Sequence, residues 1–368
     1  MRKAPRLHLV AGFLGSGKTT AIVNACKQYL QQGLRVGVVT NDQGKYLVDT
    51  AFFQLDQIPS VEVGGGCFCC NYADLESQLE KLEHEIHPDV IFAESVGSCA
   101  DLVATVIKPL LTLRTRPLRP SSFSVFTDAR LLRLRLLDEP LPFSEDVLYI
   151  FDQQIAEAAL LVINKIDLIA EDRRPELKTL AQQRYPDKTI LLQNSLSATD
   201  IATWITALED SHPLQLPESL ESLDIDYQRY GNGEAQLAWL DGEIQLRTAT
   251  SNQNTAARQI LKAIVEAIQS NHAPIGHLKF IIEDTHGHGG KVSITALPDS
   301  NWIAHVPQVQ ADTFRLMINA RVQIKSEQLE LLVEEALEKA LSDSEAIILH
   351  KRLEAFHPGM PKPTYRLP

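Results

Sequence analysis

The sequence predicts an α/β protein, built on a mostly parallel sheet with helices on both faces and followed by a smaller α+β domain. Three observations carry that reading. Over the first ~210 residues, short apolar runs alternate with helical stretches, the pattern of strands joined by crossover helices. The first of these runs, Leu7 to Ala11, leads into a glycine-rich turn and then the helix-like stretch Thr20 to Gln31. Beyond a Pro- and Glu-containing stretch, His212 to Glu218, strands and helices follow in a different order.

Taken in order, the candidate strands are Leu7–Ala11, Val36–Thr40, Val90–Ala93, Ser124–Thr127, Leu160–Ile163 and Thr189–Leu192. Helices are expected between them, as at Ala73–Glu85, where Leu75, Leu79 and Leu82 recur at helical spacing. These elements place a first domain at residues 1–211 and a linker at 212–222. A second domain then runs over 223–357, with strands Gln236–Leu240 and Glu243–Arg247, a helix Thr255–Ser270, strands His277–Ile282 and Lys291–Ala296, then Phe314–Val322 and a helix Glu327–Leu341. That order is compatible with a ferredoxin-like unit. The tail, residues 358–368, carries prolines at 358, 361, 363 and 368 and is expected to be extended.

Composition narrows the function classes. The chain has 368 residues, 44% hydrophobic and 22% charged, which reads as soluble and globular. Its net charge of −12 argues against a nucleic-acid or anionic-membrane partner, since phosphates would be repelled. No apolar run approaches the ~20 residues of a membrane span. Five cysteines, three of them within four positions, do not resemble a secreted disulfide framework, so a cytoplasmic location is the expectation.

The glycine-rich turn has the spacing G-x-x-x-x-G-K-[ST] in Gly12-Phe13-Leu14-Gly15-Ser16-Gly17-Lys18-Thr19. Strand, glycine loop and helix in that order make a P-loop, whose backbone N–H groups cradle phosphates beside a helix N-terminus. Gly12, Gly15, Ser16, Gly17, Lys18, Thr19 and Thr20 are therefore the candidate nucleotide contacts. Lys18 can reach the β- and γ-phosphates, and the Thr19 hydroxyl can ligate Mg²⁺. A chance glycine-rich turn is the competing reading.

Asn164-Lys165-Ile166-Asp167 follows the apolar strand Leu160–Ile163, and an N-K-x-D turn at a strand end selects guanine. The Asp167 carboxylate can accept from the ring N–H and the exocyclic amine of guanine, which adenine does not present together. Asn164 would support the loop, and the Lys165 stem would cover the base. The run Asp89 to Gly97 supplies a third element, an apolar strand ending in Glu94 with Gly97 three residues on. Glu94 would hold the Mg²⁺ shell through water, and the Gly97 N–H could sense the γ-phosphate. Lys18, Thr19 and Glu94 are the candidate catalytic residues. An ordinary acidic strand end is the alternative for Glu94.

Gly64-Gly65-Gly66-Cys67-Phe68-Cys69-Cys70 places three thiols behind a triple glycine. Thiols so close in a reducing compartment favour a metal site, with Zn²⁺ or Co²⁺ as candidate ions. Three thiolates leave a tetrahedral ion one open position, which suits transfer. Buried apolar packing is the bland alternative. Cys99, two residues past Gly97, could add a fourth ligand or simply pack in the core. His286 and His288 lie in a glycine-rich segment, as a remnant metal tract or as incidental members of a hairpin turn.

G-x-x-G-x-G-K-T-T, C-x-C-C, E-x-x-G and N-K-x-D in this order resemble the CobW-type GTPases, which are related to the nickel-insertion GTPases of urease and hydrogenase maturation. The resemblance covers the first ~210 residues and extends to Asn41-Asp42-Gln43-Gly44, Asp49 and Gln154. It implies a slow GTPase acting as a metallochaperone, with GTP, Mg²⁺ and Zn²⁺ or Co²⁺ as ligands. An unidentified client metalloprotein or cofactor enzyme would be its partner, with homodimer formation possible. The chain departs from the family in having Asp42 where Glu is usual and Val96 where a hydroxyl residue is usual. A second reading is a regulatory switch for a corrinoid or other cofactor enzyme, with structural cysteines. A third, a small-molecule kinase, would require an ATP preference.

Overall fold

A computed structural model describes residues 4–42, 48–114, 116, 118–210, 221–249, 252–298 and 301–368. Most of the expected linker, and Gln43 and Gly44, lie outside the described residues. Two compact units emerge: Met1–Gln43, Asp56–Gly231 and Pro361–Pro368 form one, and Gly44–Leu55 with Asn232–Met360 the other. The division differs from a simple split of the chain near residue 222. The short helix Val48–Leu55 belongs to the second unit, and residues 361–368 return to the first.

The first unit holds a seven-stranded sheet of β1 (Arg6–Gly12), β2 (Val36–Asp42), β3 (Ser60–Gly64), β4 (Val90–Glu94), β5 (Arg119–Asp128), β6 (Leu160–Asn164) and β7 (Thr189–Gln193). Its order is β3-β2-β4-β1-β5-β6-β7, and every pairing is parallel. The central strands are near-continuous apolar runs because both of their faces are covered. β3 escaped the sequence reading for the opposite reason: it is an edge strand, half-buried, with Glu62 at its centre. Register then aligns the candidate site positions. Val10 lies opposite Glu94, Gly12 opposite Phe126, and Asp128 opposite Asn164. The P-loop, the acidic strand end and the base motif thus share the carboxyl edge of one sheet, where α/β proteins bind ligands.

The second unit is an antiparallel sheet of β8 (Ala238–Arg247), β9 (Ile275–Asp284), β10 (Gly289–Thr295), β11 (Thr313–Val322) and β12 (Ile347–Phe356), ordered β10-β9-β11-β8-β12. With β10 as an added edge strand, the remaining four have the ferredoxin-like order. Helices Gln253–Ser270 and Ser326–Ser344 close one face over Leu240, Ile244, Phe280, Leu316 and Ile318. On the other face, Phe52 and Leu55 of helix Val48–Leu55 pack against Ile281 and Met317.

One sequence expectation is corrected in this unit, and one unforeseen strand is added. Gln236–Leu240 and Glu243–Arg247 are not separate strands: Asp241-Gly242 runs straight through β8, with Gly242 opposite Ile318 on one side and Leu353 on the other. Asp241 is buried and pairs with Arg321 at 3.0 Å, which removes its turn character. β12 was missed because its first six residues are exposed and carry no inward-outward alternation. No helix among the described residues is long and apolar enough to cross a membrane.

Candidate nucleotide and metal site

The chain leaves β1 through Gly12, where a Cβ would lie 2.0 Å from the Phe126 carbonyl oxygen, so only glycine fits against β5. Gly15 and Gly17 turn the loop with φ of 70° and 93°, and helix Lys18–Gln31 starts at once. Its first N–H groups form a ready anion site. Lys18 Nζ curls back over the loop, donating to the Gly12 carbonyl at 2.7 Å. Ser16 Oγ is buried with no hydrogen-bond partner among the described residues. Thr19 Oγ1 donates to Glu94 Oε1 at 2.8 Å, and both residues are buried. Two hard oxygen donors held together beside a phosphate cradle fit Mg²⁺.

From Glu94 the chain runs directly beneath the P-loop. A Cβ on Gly97 would sit 2.7 Å from Leu14 Cδ2 and 3.0 Å from its Cα, so Gly97 is pressed against the phosphate loop. Gln154 Nε2 fixes the next turn by donating to the Gly97 carbonyl at 3.0 Å and the Cys99 carbonyl at 2.8 Å. The segment then reaches Asp101, in left-handed backbone at φ 63°, with its side chain fully buried.

Across the sheet, Asn164 Nδ2 donates to the Ser16 carbonyl at 2.7 Å. Its Oδ1 accepts from Ser195 N at 3.1 Å and Ser195 Oγ at 2.8 Å. Lys165 takes φ 61° and donates to Asp128 Oδ2 at 3.0 Å, with Arg130 on the same oxygen at 2.7 Å. Burial works to raise Asp128, but Lys165 and Arg130 hold its carboxyl below the usual range. Asp167 is exposed on the turn Ile166–Leu168. The sequence reading missed Ser195 and Asp128. An Asn-Ser pair just after the last strand and an acid at the end of β5 were the available signals.

The cysteines come together as the motif predicts. Cys67 Sγ lies 2.7 Å from Cys69 Sγ and 3.2 Å from Cys70 Sγ, and Cys69 and Cys70 are 3.8 Å apart, all as free thiols. A tetrahedral zinc with bonds of ~2.3 Å needs sulfurs roughly 3.8 Å apart, so a modest outward shift of Cys67 makes the trio a three-thiolate cup. Asn41, at the end of β2, shapes that cup: Nδ2 donates to the Val63 and Gly66 carbonyls at 3.0 and 2.7 Å, while Oδ1 accepts from Phe68 N at 2.8 Å. The neighbouring thiols, Cys69 first, then Cys70 and Cys99, hydrogen-bond to Cys67 and hold it well below an ordinary thiol. Cys69 moves up for the converse reason, and Cys70 is pushed up to about 11. Cys99 is buried beside this group, in hydrogen-bonding reach of Cys67. The Asp42 and Gln43 side chains lie outside the described residues.

Asp284, His286 and His288 also gather within 4.8 Å. Asp284 Oδ1 accepts from His286 N and His288 N at 2.8 and 2.9 Å, and Oδ2 from Gln310 N and Ala311 N at 2.7 and 3.2 Å. The carboxylate therefore builds the β9–β10 turn on which both exposed imidazoles sit.

Comparison with known proteins follows the same lines. The chain is 26% identical over 258 residues to the zinc chaperone YeiR of Escherichia coli (strain K12), covering 64% of this chain and 74% of that protein. It is 29% identical over 182 residues to the zinc chaperone CobW of Sinorhizobium sp., covering 44% of this chain and 51% of that one. The crystal structure of HypB from Helicobacter pylori in complex with nickel aligns with 61% of this chain and 92% of its own, at 16% identity and a TM-score of 0.41. A description of the CobW/HypB/UreG nucleotide-binding domain matches residues 6–192. That span is just over half the chain and contains nearly all of the sheet described above, and on it the chain belongs to the CobW/HypB/UreG family of P-loop GTPases.

Proposed function

We propose that this protein is a GTP-hydrolysing metallochaperone that couples its nucleotide state to zinc held by Cys67, Cys69 and Cys70. One observation carries the reading. A single loop runs from Glu94, bonded to Thr19, past Gly97 against Leu14, to Cys99 beside Cys67. A change at the γ-phosphate position therefore has a covalent route of five residues to the thiol cluster. The names of the YeiR and CobW relatives support zinc as the cargo.

In this reading, the loop amides and Lys18 hold the phosphates, and Asp167 and Asn164 fix guanine. Thr19 and Glu94 hold Mg²⁺, which when bound would neutralise charge on the β- and γ-phosphates. Gly97 N–H reports whether a γ-phosphate is present. Ordering of the Glu94–Cys99 loop by GTP then alters the geometry of the cup, and linkage requires zinc to alter GTP affinity by the same factor. The recipient is a client metalloprotein or cofactor enzyme that accepts the ion, and turnover is slow without it.

The test is zinc and cobalt affinity of the protein alone, with GDP, and with a non-hydrolysable GTP analogue plus Mg²⁺. Thiolate-to-Co²⁺ charge-transfer absorption reports the ligands. A nucleotide-dependent affinity that disappears in Cys67→Ala is expected. Absence of thiolate-bound metal in every nucleotide state overturns the proposal.

A further inference from the structure

Residues 361–368 lie along the outer side of the cysteine cup, and their contacts are specific. Lys362 N donates to Cys70 Sγ at 3.3 Å. Thr364 N donates to the Cys69 carbonyl at 2.8 Å, and Thr364 Oγ1 to the Cys70 carbonyl at 3.0 Å. The Tyr365 ring meets Tyr72, two residues past Cys70, edge-to-face at 5.2 Å. Farther along, Arg366 Nε donates to Asp101 Oδ2 at 2.7 Å and Arg366 Nη2 to the Leu223 carbonyl at 2.6 Å. Leu367 N reaches the Ala104 carbonyl at 2.9 Å, and Lys108 Nζ bonds the Pro368 carbonyl.

We propose that residues 361–368 are a strap that positions Cys70 and closes the thiol cup, and that it must lift for metal to pass to a client. The metal-transfer part of this inference rests on the metallochaperone reading above. The sequence is built for an extended strap. Pro361 and Pro363 fix φ on either side of Lys362 and have no N–H of their own, leaving Lys362 and Thr364 as the donors that face the cup. Those two contacts use backbone N–H groups, so the strap reads the path of the cysteine loop and orients the Cys70 sulfur. Cys70 is also the least buried of the three thiols, and it is the one whose sulfur the strap bonds.

The strap is held where the nucleotide loop ends. Asp101 accepts from Arg366 and also from the Tyr227 hydroxyl at 2.6 Å. It lies seven residues past Glu94 on the loop that passes Gly97 and Cys99. A nucleotide that rearranges this loop therefore moves the strap's anchor and the cup together. Most strap side chains are exposed, so its hold is local: the hydrogen bonds named above, one from Ser222 Oγ to the Leu367 carbonyl at 3.0 Å, and the rings of Tyr72 and Tyr227. The ion pair with the buried Asp101 is the strongest of these, so opening depends on a rearrangement at that anchor.

The experiment is site-resolved alkylation of the metal-free protein with iodoacetamide, read by mass spectrometry, on the full chain, on Arg366→Ala and on a deletion of residues 361–368. Cys70 labelling is expected to rise about tenfold in the deletion and severalfold in Arg366→Ala. Cys26, buried in helix Lys18–Gln31, should stay protected. A non-hydrolysable GTP analogue with Mg²⁺ should change Cys70 labelling in the full chain and not in the deletion. Zinc loss to a chromogenic chelator should quicken in parallel. If the deletion exposes Cys26, it has unfolded and Arg366→Ala decides alone. Unchanged Cys70 labelling with Cys26 protected overturns the strap. A protein that binds no zinc defeats the metallochaperone reading and with it the strap's transfer role, while the labelling still decides whether the strap closes the cup.

Discussion

Asn164 Nδ2 bonds the carbonyl of Ser16 at 2.7 Å, fastening the turn at the end of β6 to the phosphate loop at the end of β1. The approach is close enough that a Cβ on Gly17 would lie 2.3 Å from the same amide nitrogen. Asn164 also holds Ser195 through its other atom, so three loops from distant parts of the sequence meet on one side chain. An amide serves here because it donates and accepts at once.

Asn164→Ala should therefore loosen all three loops. It leaves the Ser16 carbonyl and the Ser195 N–H without their buried partner, a loss of about 1–3 kcal/mol. Titration with a fluorescent GDP analogue should show affinity down by about 10- to 100-fold. Affinity within twofold of wild type would show that the brace is structural only.

Asp167→Asn tests base selection. The exposed Asp167 carboxylate offers two acceptors; an amide replaces one with a donor, which opposes the guanine amine and suits the 2-oxo group of xanthine. Guanine nucleotide affinity should fall by at least about 100-fold, with xanthosine nucleotides gaining. Equal losses for both bases would remove Asp167 from base recognition.

Asn41→Ala tests the thiol cup apart from the nucleotide site. Three hydrogen bonds from this one side chain fix Val63, Gly66 and Phe68, the backbone that presents the cysteines. Zinc affinity should drop about tenfold or more, as when a group orienting a ligand is lost. GDP affinity should remain close to wild type. A parallel loss of both would mean that the substitution disturbs the sheet.

The contrast between these residues shows what the sequence could reveal. Gly12 to Thr19, Glu94 and Asn164 to Asp167 could be named as candidates because each motif is packed into a few consecutive positions at a strand end, and the register brings those ends to one sheet edge. The bracing by Asn41 and Ser195 was not, because Asn41 bonds backbone far away in the chain and Ser195 bonds the equally distant Asn164 side chain. The tail from residue 358 was read as extended from its prolines, yet its docking depends on the Lys362 and Thr364 N–H groups, which every non-proline residue possesses. β8 was divided at Asp241-Gly242 because a turn signal was weighed without the buried Arg321 that pairs with it.

Glu157 ties the anchor loop to pH. Its Oε1 accepts from Val103 N at 3.1 Å, two residues past Asp101, in a fully buried setting. Burial is the main cause that raises its carboxyl from the ordinary 4.5 to about 8, and the charge of Asp101 adds to it, while Lys188 is the nearby cation. The folded protein thus keeps a proton here that the unfolded chain loses above about pH 4.5, so the native state binds more protons across that window. Stability from this group is present in full below the unfolded value, falls as pH rises, and levels off above about 8. Glu157→Gln keeps an acceptor for Val103 but has no proton to lose. Between about pH 5 and about pH 8.5, the wild-type Tm should fall more than the variant's by several degrees, since each shifted unit is ~1.4 kcal/mol. Parallel Tm curves for the two proteins would overturn a protonated Glu157 in the folded state.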